Sequence, residues 1–264
     1  MPRFSLYFLC AATLFLLAVF PVIAAESALP VPEIAKDLAE NYQKRVPTQW
    51  GEHLPGILTT LPSTQETDGA SHTVALTLDA CDGGTDTRII SLLRKHNVPA
   101  TIFLTNRWLR QNKAIAEDLG NDPLFALACH GKRHKPASTD GRKAYGITGT
   151  KTIPALVEEV EDNARAITDL TGKRPCWYRS GTAHYDDVAL SVIADLGFAV
   201  AGYSVSADQG ASLPAHKVAR NLLHAPDKAI ILLHLNHPES GTYQGLAAAI
   251  PTMLTRGVYF VKLE

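Results

Sequence analysis

The sequence predicts an α/β fold, a barrel of about seven parallel strands wrapped by helices, and three observations predict it. Short apolar, β-branched runs alternate with helical stretches from residue 73 onward, and alternation of that kind forces parallel pairing through right-handed crossovers. Seven or eight such units favour a closed barrel over an open sheet. Finally, ionisable residues recur just where successive strands end, the edge on which parallel barrels build their sites.

The elements follow in order. Thr73–Asp79 (TVALTLD) reads as a buried strand because it is a short, bounded apolar run. A helix follows over Arg88–Lys95, and further strands are expected at Ala100–Thr105, Phe125–Cys129, Cys176–Arg179, Ala199–Tyr203, Ala229–His234 and Val258–Lys262. The clearest helix is Ile153–Leu170, where Leu156, Val157, Val160, Ala164 and Ile167 recur at three- and four-residue spacing. Glu158, Glu159, Glu161 and Asp162 are expected on its opposite, solvent face, and Gly172 stops it. The stretch Thr139–Thr152 (TDGRKAYGITGTKT) is polar and glycine-rich, and is expected as a long loop beside the site.

Ahead of the barrel, one early cation (Arg3) precedes an apolar run from Leu6 to Val22 and then Ala24 and Ala25, the pattern of a cleaved secretory signal peptide over residues 1–25. The chain is therefore expected to be exported, to the periplasm or the medium, with no stable membrane anchor after cleavage. Residues 26–71 are turn-rich, with one helical stretch at Pro32–Lys44, and are expected to pack as a lead-in on the outside of a domain spanning 72–264. A formal net charge of -1 leaves no basic field for nucleic acid. Cys10 departs with the leader, so Cys81, Cys129 and Cys176 remain. An odd number gives no disulfide framework; a Cys81–Cys129 bridge is conceivable, with buried free thiols the favoured reading.

Five of the strand-end residues are ionisable: Asp79, His130, Arg179, Asp208 and His234. Each has an ordinary explanation alone, as an ion-pair partner, a turn residue or a core histidine, but their joint placement on one rim is a site. His130 and His134 stand four apart in CHGKRH, a spacing that brings both imidazoles onto one face if the segment turns as a helix. Gly131 occupies the position where a metalloprotease of the HExxH type carries its glutamate, which removes that peptidase reading. His237 and His184 lie near these residues, and Tyr145, Trp177 and Tyr178 are candidates for stacking on sugar rings.

In the order ALTLDACDGG, HGKRH, YRSGTAHYD, SVSADQG and IILLH, these segments resemble the five motifs of the polysaccharide deacetylases of the NodB-homology group, carbohydrate esterase family 4. The resemblance runs from Thr73 to Leu263. It implies a distorted barrel, a divalent metal, usually zinc, and a hydrolase that removes acetyl groups from an acetylated polysaccharide such as peptidoglycan or a chitin-like glycan, N-acetyl amides first and O-acetyl esters second. By the same resemblance Asp79 is the base, His130 and His134 are metal ligands, Arg179 orients the base, Asp208 is the carboxylate of the fourth motif, His234 is the general acid, and Leu232 shapes the acetyl pocket. The first motif departs from the family form: two adjacent aspartates are usual, whereas Asp79, Ala80, Cys81 and Asp82 stand here. Asp82 is the first choice for the missing carboxylate ligand, with Asp86, or Asp79 itself, as alternatives. Ser180 and Gly181 replace the prolines common in the third motif, and Gln209 the tryptophan of the fourth. A non-catalytic glycan-binding barrel and a hydrolase of small C–N amides are the competing readings.

Overall fold

The strand Thr73–Ala80 is buried at all eight positions, as an apolar run must be when both faces of a parallel sheet are covered, and the rest of the sheet is built outward from it. The computed structural model describes residues 29–62 and 72–263; the expected signal peptide lies outside the described residues. Ile230–His234 pairs with this strand on one side, setting His234 opposite Asp79, and Ala100–Leu104 pairs with it in a register that sets Phe103 opposite Asp79. Beyond Ala100–Leu104 come Phe125–Cys129, Trp177–Tyr178, Ala199–Ala201 and Ile57–Leu58; beyond Ile230–His234 comes Val205–Ser206, while Tyr259–Val261 pairs with the start of Thr73–Ala80. Every pairing in this nine-stranded sheet is parallel. Its ends do not share a ladder among the described residues, but Thr60 forms a single antiparallel bridge to Ala229, and Leu61 N donates to Lys228 O at 2.8 Å. The sheet is thus a curled, incompletely closed barrel, the distorted α/β barrel expected.

All seven expected strands are present, some shortened, such as Trp177–Tyr178 within Cys176–Arg179. Two more, Ile57–Leu58 and Val205–Ser206, have two residues each, too short for a periodic signal. The first of them corrects the reading of the lead-in. That segment does send its helix Val31–Tyr42 to pack on the outside, against the helix Ile153–Thr171, but it also contributes Ile57–Leu58 to the sheet itself, beside Ala199–Ala201. It further places Trp50–Gly51 antiparallel to Tyr185–Asp186 at the rim.

Two further expectations are corrected. Residues 139–152 are not an unstructured loop: Lys143–Ala144 and Ile147–Thr148 form a small antiparallel hairpin, closed by Tyr145 and Gly146, both at positive φ (50° and 78°), as a two-residue hairpin turn requires. In Ile153–Thr171, capped by Thr152 and ended by Gly172 at φ 71°, Glu159 and Glu161 are buried rather than solvated. Glu161 pairs with Arg174 at 2.6 Å, and Glu159 meets the loop that carries His130 and His134. This helix is covered on more than one face, so a polar stripe along it does not mean exposure. Cys81, Cys129 and Cys176 are all free thiols.

Candidate active site

His130 follows directly on the strand Phe125–Cys129, and the chain after it is a loop rather than a helical turn. The two rings are nevertheless adjacent, edge to face with centroids 4.8 Å apart. Gly131 at φ 88° and His134 at φ 60° turn the backbone, and the long helix holds the turn in place. Asn163 Oδ1 accepts from both His130 N and Gly131 N at 2.9 Å. Glu159 Oε1 accepts from Arg133 N at 2.7 Å and Lys135 N at 3.2 Å, and Glu159 O accepts from Lys132 N. On the other side Gly181 lies so close that a Cβ there would stand 2.3 Å from the His134 carbonyl carbon, so the third motif carries glycine for clearance.

His130 Nδ1 lies 2.9 Å from Arg179 O. A carbonyl only accepts, so Nδ1 bears the proton and Nε2 turns its lone pair into the site. Burial, which disfavours the charged ring, lowers the pKa of His130 and takes that of His134 down to about 3, so both imidazoles are neutral.

Asp79, at the end of the central strand, receives Arg179 Nη1 at 2.7 Å. Arg179 is itself fully buried: Nη1 also donates to Thr77 Oγ1 (3.0 Å), Nε to Ala201 O (3.2 Å) and Nη2 to Gly202 O (2.8 Å), and its guanidinium lies 4.2 Å from the Phe103 ring centroid. Burial alone would raise the pKa of Asp79, but the charge of Arg179, aided by its hydrogen bond, leads the opposing influences and leaves it lowered. Asp79 Oδ2 lies 3.5 Å from His130 Nε2, so an ionised carboxylate faces the histidine pair.

His234, on the neighbouring strand end, sets Nδ1 3.0 Å from Asp208 Oδ1. Asp208, fully buried, is fixed by His234 N (2.7 Å) and Thr242 Oγ1 (2.9 Å) on its other oxygen. The carboxylate accepts, so His234 Nδ1 is protonated and Nε2 is the free ring atom. Burial pulls the His234 pKa down, yet the hydrogen bond and charge of Asp208 exceed that pull and the net direction is upward. All five strand-end residues singled out in the sequence therefore fall in one cluster, with His130, Arg179 and Asp208 buried behind Asp79 and His234.

The first motif is arranged differently from the expectation. Asp82 does not turn toward the histidines: its side chain, 38 % exposed, pairs with Arg107 and accepts from Gln111 Nε2 at 2.9 Å and from Gly83 N. Asp86 caps the helix Thr87–His96 and pairs with Arg88 at 2.7 Å. The side chain that does approach is Cys81, whose Sγ lies 3.6 Å from His130 Nε2; single donor atoms of Cys81, His130 and His134 all fall within 4.8 Å of one another. Two neutral imidazoles and a thiol are donors suited to a borderline ion such as zinc, so the residues fit the divalent metal implied by the resemblance.

A cavity of about 620 Å³ opens over these groups, with Asp79, Cys81, His134, Leu232, His234 and His237 in its wall. Tyr145 and Tyr203 line it further out. Both hydroxyls donate to Glu52 at 2.8 Å, and His184 packs between Trp50 and Tyr145 with ring centroids 5.6 and 5.4 Å away. Trp50 and Glu52 were not foreseen as rim residues, because nothing in a turn-rich segment marks them. Trp177 and Tyr178 sit within the sheet, Tyr178 fully buried, and neither lines the cavity.

Comparison with known proteins agrees with this architecture. A polysaccharide deacetylase family model matches residues 66–201. A bifunctional xylanase/deacetylase of Pseudobutyrivibrio xylanivorans is 26% identical over 216 residues, covering 79% of this chain and 34% of that protein; an uncharacterised Bacillus subtilis protein, YlxY, is 22% identical over 166 residues, covering 62% and 48%. The chain thus spans half or less of the length of these curated relatives. Among solved structures, a wild-type family 4 carbohydrate esterase pseudoenzyme from Bacillus anthracis aligns with a TM-score of 0.65 at 18% identity over 88% of this chain and 79% of its own. PdaA, a family 4 carbohydrate esterase of Bacillus subtilis, aligns with a TM-score of 0.63 at 18% identity over 86% of both chains. At such identities the structural likeness carries the fold alone. The family model covers just over half of the sequence and includes the central strand, the histidine loop and Arg179, and on that basis this protein belongs to the polysaccharide deacetylase family.

Proposed function

We propose that this protein is a metal-dependent hydrolase that removes acetyl groups from an acetylated polysaccharide, N-acetyl amides first and O-acetyl esters second. The observation that carries the reading is the pairing of opposite functions at one mouth: an ionised carboxylate held by Arg179 and, on the neighbouring strand end, an imidazole held protonated at Nδ1 by Asp208, with the two histidines His130 and His134 next to the carboxylate. His130 and His134 would hold the ion, for which zinc is the natural choice. When bound, it supplies a Lewis acid that polarises the acetyl carbonyl and makes water more acidic. Asp79 takes the proton of the attacking water, with Arg179 fixing the carboxylate's direction and keeping it ionised. His234 gives a proton to the leaving nitrogen or oxygen as the acyl bond breaks, yielding acetate and a free amine or hydroxyl. A pKa raised above the usual histidine value keeps a larger share of His234 in the acid form near neutrality. Leu232 in the cavity wall suits the acetyl methyl, and the Trp50–His184–Tyr145 cluster at the rim suits a sugar ring.

Acetate release from chitooligosaccharides, peptidoglycan and acetylated xylan, with and without chelator, tests the proposal. Chelator-sensitive release is expected on at least one glycan and is expected to vanish in His134→Ala; release that survives both would overturn it. The N-terminal residues support export as part of the proposal, and recovery of the protein from the periplasm or medium, starting near residue 26, is the expected result. One observation favours a second reading, a glycan-binding barrel without catalysis: no carboxylate of the first motif other than Asp79 approaches the histidines. Purified protein that takes up no divalent ion would favour that reading.

A further inference from the structure

We propose that Cys81 is the third protein ligand of the metal, so that this chain replaces the carboxylate expected in its first motif with a thiolate and builds a Cys–His–His centre. The inference rests on the metal-dependent reading above and deepens it. Cys81 is the first residue after the strand Thr73–Ala80, and its backbone is held on both sides: Cys81 O accepts from Thr105 Oγ1 at 2.6 Å and Cys81 N donates to Asn236 Oδ1 at 3.4 Å. The side chain is thereby aimed at the histidines, with Sγ 3.6 Å from His130 Nε2. A tetrahedral zinc with Zn–S about 2.3 Å and Zn–N about 2.05 Å separates the two donor atoms by about 3.6 Å. The observed spacing is that of two ligands sharing one ion.

The two acids that follow Cys81 in the first motif are engaged elsewhere. Asp82 is taken by Arg107 and Gln111, and Asp86 by Arg88 and its helix cap. Asp79 has one oxygen 3.5 Å from His130 Nε2 but commits the other to Arg179, which leaves it placed as base. On coordination the Cys81 Sγ–H bond is lost, the proton passes to solvent and the sulfur electron pair forms the bond to the ion. A softer donor set follows, and with it a preference for zinc, cobalt or cadmium over magnesium or manganese.

The test uses the purified protein stripped with chelator and reloaded with cobalt(II) or zinc(II). A near-ultraviolet thiolate-to-cobalt charge-transfer band is expected in the unaltered protein and is expected to be missing in Cys81→Ser. Cys81→Ser is expected to bind zinc on the order of a hundredfold more weakly, with Cys81→Asp restoring much of the affinity without the band. A second readout is alkylation followed by peptide mapping: zinc should protect Cys81 while leaving the exposed Cys176 as reactive as before. Cobalt bound stoichiometrically without the band, with Cys81 alkylated equally in loaded and stripped protein, would overturn the assignment and leave the metal-dependent reading intact. Failure of the unaltered protein to bind any of these ions would overturn both. Circular dichroism of the stripped variants separates lost binding from lost folding.

Discussion

Glu159 offers the most direct check on how the histidine loop is held. Its Oε1 accepts from two loop amides, Arg133 N and Lys135 N, while its Oε2 has no partner among the described residues. Replacing it with Leu removes two hydrogen bonds to a charged acceptor, each contributing about 1.5–3 kcal/mol, and relieves the cost of burying the carboxylate; a net loss on the order of 3 kcal/mol remains. For a domain of this size that corresponds to a fall in Tm of roughly 6–12 °C. The loop loosens with it, and zinc affinity is expected to fall at least tenfold. Glu159→Gln keeps the accepting oxygen, so its Tm is expected within a few degrees of the parent. The pH dependence has a definite sign. Burial raises the Glu159 pKa above 4.5, so the folded protein binds that proton more tightly than the unfolded chain, and stability falls as pH rises from about 4.5 through the folded value. The Tm of Glu159→Gln relative to the parent should therefore climb across this weakly acidic window and then level off. Differential scanning fluorimetry and zinc titration read both effects. Equal losses in the Gln and Leu variants, or an unchanged zinc affinity in the Leu variant, would refute the view that this carboxylate anchors the loop.

Other predictions follow from the same geometry. Asp79→Asn should lower kcat by about 10²–10⁴-fold with stoichiometric metal retained; loss of metal instead would show Asp79 to be a ligand. If His234 is the acid, kcat should decline as pH rises through its raised pKa, and Asp208→Asn should shift that basic limb to lower pH, which a pH–rate profile will show. Gly181→Ala places a methyl against the His134 carbonyl, and should reduce zinc affinity more than it reduces Tm.

Much of the site was legible because chemistry at a parallel barrel's rim falls at strand ends, and the strands themselves are read from apolar content. Asp79, His130, Arg179, Asp208 and His234 all follow from that rule. What the sequence concealed was direction. Asp82 is as close in sequence to Asp79 as a bulged ligand would need to be, yet Arg107 and Gln111, 25 and 29 residues further along the chain, draw it outward and leave Cys81 facing the histidines. Glu159 and Glu161 sit on a polar stripe that looks solvated until the histidine loop and Arg174 are folded against it. The lead-in was misjudged for a related reason: two-residue strands such as Ile57–Leu58 have no period, and only the partner strand Ala199–Ala201 identifies them.

On the proposed mechanism, burying the Arg179 charge at this mouth serves chemistry more than stability. A buried ion pair contributes little net stability, since desolvation offsets the attraction, and three of the four acceptors around this guanidinium are uncharged: Thr77 Oγ1, Ala201 O and Gly202 O. Those three hold the side chain in one plane, and the remaining bond fixes Asp79 within that plane. Lysine at this position would keep the positive charge, and so keep Asp79 ionised, but a single ammonium cannot reproduce the planar fork. Arg179→Lys should therefore lose about 1 kcal/mol for each carbonyl left without its donor, while kcat falls at least tenfold because the carboxylate is free to rotate. The acidic limb of the pH–rate profile should stay where it is, since the charge that lowers the Asp79 pKa is retained. A variant with parental kcat would show that charge alone suffices, and one whose acidic limb moves to higher pH would show that the guanidinium's hydrogen bond, not its charge, keeps Asp79 ionised.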